Sequence, residues 1–337
     1  IEIRTEIVSK NEKALRGATL SYDVYEIALY SDDVTGRVAS GVASCGDARE
    51  GVVRTALEVP HPKAWSAEEP HRYVLVVKLL DKRGRILDCT STYFGVRTVE
   101  IKEMTAQEDD FGNAGRYFLV NGKPVKLKGV NRHETNPTTG HAITRQQMTE
   151  EVMLMKRANI NHVRLSHYPN HPYFYYLADK YGLYLEDEAN IESHEYYYGE
   201  ASLSHPVEWR DAHVARNMEM VRAHVNAPSI VIWSLGNEAG PGNNFVEAYK
   251  AIKAFDTSRP VQYERNNDIV DMGCSRWQRA RATSSILSIF RKMPIPWATL
   301  LATLPTTGRL WRAATTSAGL PSGIGLTRPW TPIHRLD

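Results

Sequence analysis

IVIWSLGNEAGPG, residues 230–242, is a run of β-branched and aromatic apolar residues that stops at Gly-Asn-Glu and breaks into glycine and proline. A short, unbroken apolar run of this kind is the mark of a strand buried on both faces, as in a parallel sheet. It therefore ends by delivering a carboxylate, Glu238, into a Gly-rich loop. A lone Glu in such a place most often caps a helix or pairs with an arginine. Asn237 beside it, and glycines that let a ligand approach the backbone, point instead to function.

Working outward, the sequence from about residue 116 alternates strand with helix. VKLKGVN reads as a strand, and Thr144 caps a helix with Met148, Val152 and Met155 on one face. HVRLS is a strand; PYFYYLADKYG is a helix opened by Pro172 and stopped by Gly182. LYLEDEAN, a helix over about 210–224, SIVIWSLGNE, a helix over 244–256 and VQYE follow in turn. Such alternation predicts a parallel α/β sheet or barrel. Four successive strands end in polar groups: Asn131-Arg132-His133-Glu134, Arg164-Leu165-Ser166-His167, Asp187-Glu188-Ala189-Asn190 and Asn237-Glu238. Barrel active sites are built at the C-terminal ends of their strands, so this succession predicts a barrel mouth with chemistry in it.

Residues 1–103 read differently. LSYDVYEIAL, GVVRTALEV, HRYVLVVKLLD and TSTYFGVRTVEI alternate with period two between turn clusters such as Ser31-Asp32-Asp33 and Asp81-Lys82-Arg83-Gly84, the pattern of an antiparallel β-sandwich. The first residues, IEIRTEIVSK, show neither an initiator Met nor a signal-peptide pattern, and read as a strand already under way in a longer protein. No apolar run approaches the roughly 18–20 residues of a membrane span. Cys45, Cys89 and Cys274 are too widely spaced for a disulfide framework or a zinc motif and read as small buried apolar residues. The net charge of +2 hides an asymmetry: from Ser275 onward there are nine Lys/Arg and one acid, leaving 32 basic against 38 acidic residues over 1–274. Taken alone, a basic tail on an acidic body suggests a nucleic-acid arm.

Some candidate pairs remain open on spacing alone. His167 and His171 have the i, i+4 spacing of a helical metal pair, but Pro169 and Pro172 disfavour a helix there. Glu192 and His194, two apart on an extended segment, suit a divalent ion and equally suit loop hydrogen bonds. The run Tyr196-Tyr197-Tyr198 reads as core, rim or a sugar-stacking platform.

GVNRHE, VRLSHYPNHP, YGLYLEDEANIESH and PSIVIWSLGNEAG, over about 116–274, resemble the family-2 glycoside hydrolases of the bacterial β-galactosidase type. HPKAWSAEEPHRYVLVVKL and YFGVRTVEI resemble the immunoglobulin-like domain that precedes the barrel in that family. The resemblance implies an immunoglobulin-like β-sandwich over 1–103 and a (β/α)8 TIM barrel from 104 to 274, truncated or disrupted at its C-terminal end. It also implies a retaining hydrolase of terminal β-D-galactosides, with β-glucuronidase or β-mannosidase as alternatives. Glu238 matches the acid/base and Asn237 the neighbour that holds the 2-hydroxyl. His133 and His167 match histidines that stabilise the transition state, and Arg164 lies in the same motif. Glu192, His194 and Glu238 match ligands of a Mg²⁺; a monovalent cation is implied as well. Full-length members are implied to be homo-oligomers of the bacterial cytoplasm or periplasm, with a further β-domain ahead of residue 1 that contributes to the sugar pocket. Neither nucleic acid nor membrane is an implied partner.

A retaining enzyme needs a second carboxylate as nucleophile. In the family this is a Glu in a motif like Glu-Tyr-Ala-His-Ser-Met-Gly-Asn, and beyond Cys274 the chain has no glutamate at all. Written in permissible codons and read one phase over, IFRKMPIPWAT (289–299) becomes Ile-Ser-Glu-Asn-Ala-His-Ser-Met-Gly-Asn. In the same phase SGIGLTRPWT (322–331) becomes Trp-Asp-Trp-Val-Asp-Gln-Ala-Leu-Asp, similar to another barrel segment of the family, and Ser275-Arg276-Trp277 conceals Pro-Met. A reading-frame shift just after Cys274 accounts for the basic, aperiodic tail, so no nucleic-acid arm is needed. The nucleophile codon then straddles those of Arg291 and Lys292. The chain as written is expected to be nearly inactive, or a non-catalytic sugar-binding remnant. Residues 275–337 are expected to pack poorly against the rest.

Overall fold

In the computed structural model of the chain, the structure describes residues 1–8, 15–46, 50–108, 112, 114–194, 199–264 and 270–272. The expectations for Tyr196–Tyr198, Cys274 and the 275–337 tail lie outside the described residues.

The N-terminal part is a sandwich of two sheets. β1 (Glu2–Val8) pairs antiparallel with β4 (Glu50–Ala56). β2 (Thr19–Ile27), β3 (Val34–Ser44), β5 (Tyr73–Leu80) and β6 (Ile86–Phe94) form an antiparallel sheet in the order β3-β2-β5-β6. The period-two pattern gives the inner face directly: Leu20, Tyr22 and Val24 of β2, with Tyr73, Leu75 and Val77 of β5, bury their side chains against Ile3 of β1. The turn clusters separate the strands as their chemistry requires. Asp81 Oδ1 accepts from the amides of Arg83 and Arg85, closing the turn between β5 and β6.

β7 (Val99–Met104), on which the expected boundary at residue 103 falls, pairs antiparallel with β8 (Gly115–Val120), and β9 (Lys123–Pro124) completes this three-stranded sheet. Its Phe118 and Val120 share a core with Trp65 of the sandwich region and with Tyr184, Val231 and Ile232. The small sheet therefore cements the two larger parts.

The remainder is a parallel sheet whose strands lie in sequence order: β10 (Gly129–Arg132), β11 (His162–Leu165), β12 (Tyr184–Glu188), β13 (Ile230–Ser234) and β14 (Val261–Gln262). Four helices alternate with them: α1 (Arg145–Arg157), α2 (Pro172–Tyr181), α3 (Arg210–His224) and α4 (Asn243–Phe255). Every helix contributes to one apolar core with the sheet, through Met148 and Val152, Phe174 and Leu177, Met220 and Val221, and Phe245 and Ile252. The α1 start is a full capping box: Thr144 Oγ1 accepts from the Gln147 amide while Gln147 returns an acceptor to the Thr144 amide. α2 opens at Pro172 and closes on Gly182 at φ +78°, where an added Cβ would lie 2.2 Å from the Ala67 carbonyl oxygen.

Two expectations are corrected. VKLKGVN is not one strand: only its last residues enter the parallel sheet, because pairing with β11 begins at Gly129 opposite His162. Cys89 is exposed and Cys45 only half-buried, both with free thiols; Cys89 lies on β6, the edge strand of its sheet, whose residues 86–91 are exposed on both faces.

Candidate active site

The sheet register assembles the site. Arg164 of β11 lies opposite Glu186 of β12, and Glu188 lies opposite Ser234 of β13. Alternation on β12 sends Glu186 and Glu188 to one face and Asp187 to the other, where Asp187 takes hydrogen bonds from Tyr175 Oη and His224 Nδ1, each at 2.7 Å.

Glu188 is fully buried and gathers its neighbours. Its Oε2 accepts from Arg164 Nε at 2.8 Å and from Ser234 Oγ at 2.6 Å; its Oε1 accepts from His167 Nδ1 at 2.6 Å. Burial alone would raise its pKa, but the Arg164 charge and the His167 hydrogen bond outweigh it and hold the carboxyl below its ordinary value. Glu186, one pleat deeper, is pushed up to about 7, by burial first and then against the pull of Arg164. It accepts from Gln262 Nε2 at 3.0 Å.

At the end of β13 the chain turns sharply. Gly236 stands at φ +149°, and a Cβ there would lie 2.6 Å from the Ile191 carbonyl oxygen. Without one, the Asn237 amide donates to that oxygen at 2.8 Å, stitching the loop to the segment that carries Glu192. Asn237 Oδ1 accepts from Arg164 Nη2 at 3.1 Å and its Nδ2 donates to Glu192 Oε1 at 3.1 Å. Glu238 follows at φ +38°. Buried Ser202 donates to the Ala239 carbonyl, and Tyr263 Oη donates to that of Gly240 at 2.8 Å, so the loop is held from two sides.

Glu192, His194 and Glu238, expected as metal ligands, are brought together. One ligand atom from each lies within 4.8 Å of the others, with His194 Nδ1 at 3.3 Å from Glu192 Oε1 and 3.7 Å from Glu238 Oε2. Two carboxylates and an imidazole at a solvent-reached rim fit a divalent cation that keeps several waters. His133 and His167 are also neighbours, ring edge to ring face with centroids 5.3 Å apart. Loss of hydration, then the nearby His167, lower the His133 pKa. His171 is not a helical partner of His167: it is the N-cap of α2, its ring accepting from the Tyr173 amide.

Glu188 entered the sequence reading only as part of a polar strand end, with no role given to it, and Glu186, Ser234 and Gln262 were not singled out. Glu-Asp-Glu inside an otherwise apolar strand is the signal that could have found the first two, because buried carboxylates are rare unless paired.

Residues 114–302 match the TIM-barrel domain of glycosyl hydrolases family 2, and residues 3–97 match a further domain of glycosyl hydrolases family 2. The chain belongs to glycosyl hydrolase family 2. Among family-2 relatives, a beta-galactosidase of Photobacterium profundum is 43% identical over 237 residues, covering 69% of this chain and 22% of that protein. A beta-galactosidase of Alteromonas mediterranea is 46% identical over 215 residues, covering 64% of this chain and 19% of that protein. The chain thus spans about a fifth of the length of these curated relatives. A family-2 member from Bacteroides cellulosilyticus superposes with TM-score 0.60 at 26% identity, over 80% of this chain and 33% of that one. A Parabacteroides merdae beta-glucuronidase does so with TM-score 0.62 at 22% identity, over 81% and 34%, a likeness of fold alone.

Proposed function

We propose that the chain carries the acid/base half of a retaining β-galactosidase. In this reading Glu238 protonates the departing glycosidic oxygen and then deprotonates the attacking water, as one carboxyl of a retaining pair must. Asn237, held by Arg164 on one side and Glu192 on the other, offers its amide to the sugar 2-hydroxyl. His133 and His167 face the charge that develops at the ring, and Arg164 shares with His167 the carboxylate of Glu188. Glu192, His194 and Glu238 would hold a Mg²⁺, which would supply positive charge beside the acid/base. The observation that carries the reading is the convergence of Glu238, Asn237 and both histidines at one end of a parallel sheet. The choice of galactose is supported by the names of the relatives and by SHYPNHP, against β-glucuronidase or β-mannosidase. The β-glucuronidases among the structural neighbours share the fold and carry no weight on the sugar.

The same reading includes the frame shift after Cys274, and with it a chain that lacks its nucleophile as written. Loss of a covalent catalyst leaves little turnover, since the residues of such a site act as a unit. Resequencing the DNA from the codon of Cys274 to that of Asp337 comes first. A frame that opens into Ile-Ser-Glu should give an enzyme that hydrolyses a chromogenic β-galactoside, in preference to β-glucuronide and β-mannoside, with retention. A verified sequence as written should bind galactosides without turning them over. Robust turnover by the chain as written would sink the nucleophile argument, and preference for another glycoside would sink the galactose assignment.

A further inference from the structure

Glu188 holds more than a buried ion pair requires. A salt bridge with Arg164 would satisfy its charge, yet Ser234 also donates to the Oε2 that Arg164 uses, and His167 takes the other oxygen. An ionised carboxylate only accepts hydrogen bonds, so the hydrogen in the 2.6 Å contact to His167 sits on Nδ1. In the neutral ring that leaves Nε2, on the side away from the carboxylate, as a bare acceptor. Arg164 is fixed by the same carboxylate and turns Nη2 to Asn237 Oδ1, which commits the Asn237 amide nitrogen to the Glu192 side. One carboxylate therefore holds three side chains directly, Arg164, Ser234 and His167, and a fourth, Asn237, through Arg164.

We propose that Glu188 is the positioning residue of this barrel mouth. It locks His167 as the Nδ1–H tautomer, so that Nε2 accepts from a sugar hydroxyl, and through Arg164 it sets the amide of Asn237. The sugar in this statement rests on the functional reading above; the tautomer does not.

The test is long-range ¹H–¹⁵N correlation on the full chain labelled with ¹⁵N-histidine, at mildly alkaline pH, with His167 assigned by its absence from H167Q. The wild-type ring should show a single Nδ1–H tautomer. E188Q, whose carboxamide can donate as well as accept, should mix the tautomers or invert them, and E188D, an acceptor again, should restore the wild-type pattern. A wild-type Nε2–H tautomer overturns the proposal whether or not E188Q folds. So does a folded E188Q that keeps the wild-type tautomer. Titration calorimetry with methyl β-galactoside separates the two readings. Binding at least tenfold weaker in E188Q than in wild type is expected, and equal binding overturns the positioning role. A wild-type chain that binds no galactoside removes the sugar reading, while the tautomer still judges Glu188.

Discussion

Glu238 occupies the left-handed region of backbone space, where a non-glycine residue costs of order 1–3 kcal/mol and persists only if its surroundings enforce it. The enforcement is visible in Gly236, in the Asn237–Ile191 backbone bond and in the Ser202 and Tyr263 contacts to the following carbonyls. Gly236→Ala should therefore destabilise the protein by about 1–3 kcal/mol, from a strained φ and a blocked approach to Ile191. The fall should appear in a denaturant midpoint at unchanged slope, and an unshifted midpoint would contradict the argument. Glu192→Gln should weaken Mn²⁺ binding, followed by electron paramagnetic resonance as a stand-in for Mg²⁺, by at least ~10-fold, because a neutral amide replaces an anionic oxygen. Equal affinity would remove Glu192 from the proposed cation site. Glu238, Asn237 and the Glu-x-His pair were legible as residues in a motif. Glu188 was legible only as one member of a polar strand end, since a carboxylate within an apolar strand reveals its partners only when neighbouring strands are in register.

Strand β12 is where local reading and tertiary demand diverge. Its five residues are all buried, yet three are acids, each with a different fate: Asp187 braces α2 and α3, Glu188 is ionised among donors, and Glu186 is pushed up to about 7. A carboxyl raised above its unfolded value favours folding at low pH, and this contribution is lost as pH rises from the ordinary Glu range through about 7. Glu186→Gln should thus raise the thermal midpoint at neutral pH and flatten its decline between mildly acidic and neutral pH. A variant with the wild-type pH profile would show that Glu186 is not the group responsible. The helices were easier to read. Thr144 and Gln147 stand three apart ahead of an apolar face, and Thr144→Ala should cost about 1 kcal/mol in chemical denaturation by stripping the α1 cap.

Across the whole molecule, sandwich and barrel are joined by polar contacts that no local pattern announces. Asp32, in a turn of the sandwich, meets Arg72 at 3.0 Å and reaches Tyr176 and Lys180 of α2 at 2.5 and 2.6 Å. Trp65 Nε1 donates to the Asp179 carbonyl at 2.9 Å, and Arg97 Nε to that of Pro228 at 2.7 Å. Partial burial works to raise the Asp32 pKa, but its hydrogen bonds to Lys180, Tyr176 and Arg72 prevail and bring it to about 2. A depressed carboxylate stabilises above its unfolded pKa and loses that contribution as pH falls through about 2. Asp32→Asn should lower the unfolding midpoint at neutral pH and show a weaker acid dependence between about pH 4 and 2, with both effects shrinking in high salt because the site is part-exposed. Identical acid limbs in variant and wild type would rule the junction out. The sequence by itself determined the order of strands and helices, their caps and breaks, and the delivery of Glu238 and Asn237 to a barrel mouth, because periodicity and turn chemistry act over a few residues. Only the tertiary structure decided that Arg164 and His167 answer to Glu188, that Cys89 faces outward, and that Asp32 ties the two parts together. Those depend on strand register and on contacts between residues as many as 148 positions apart, which no local window contains.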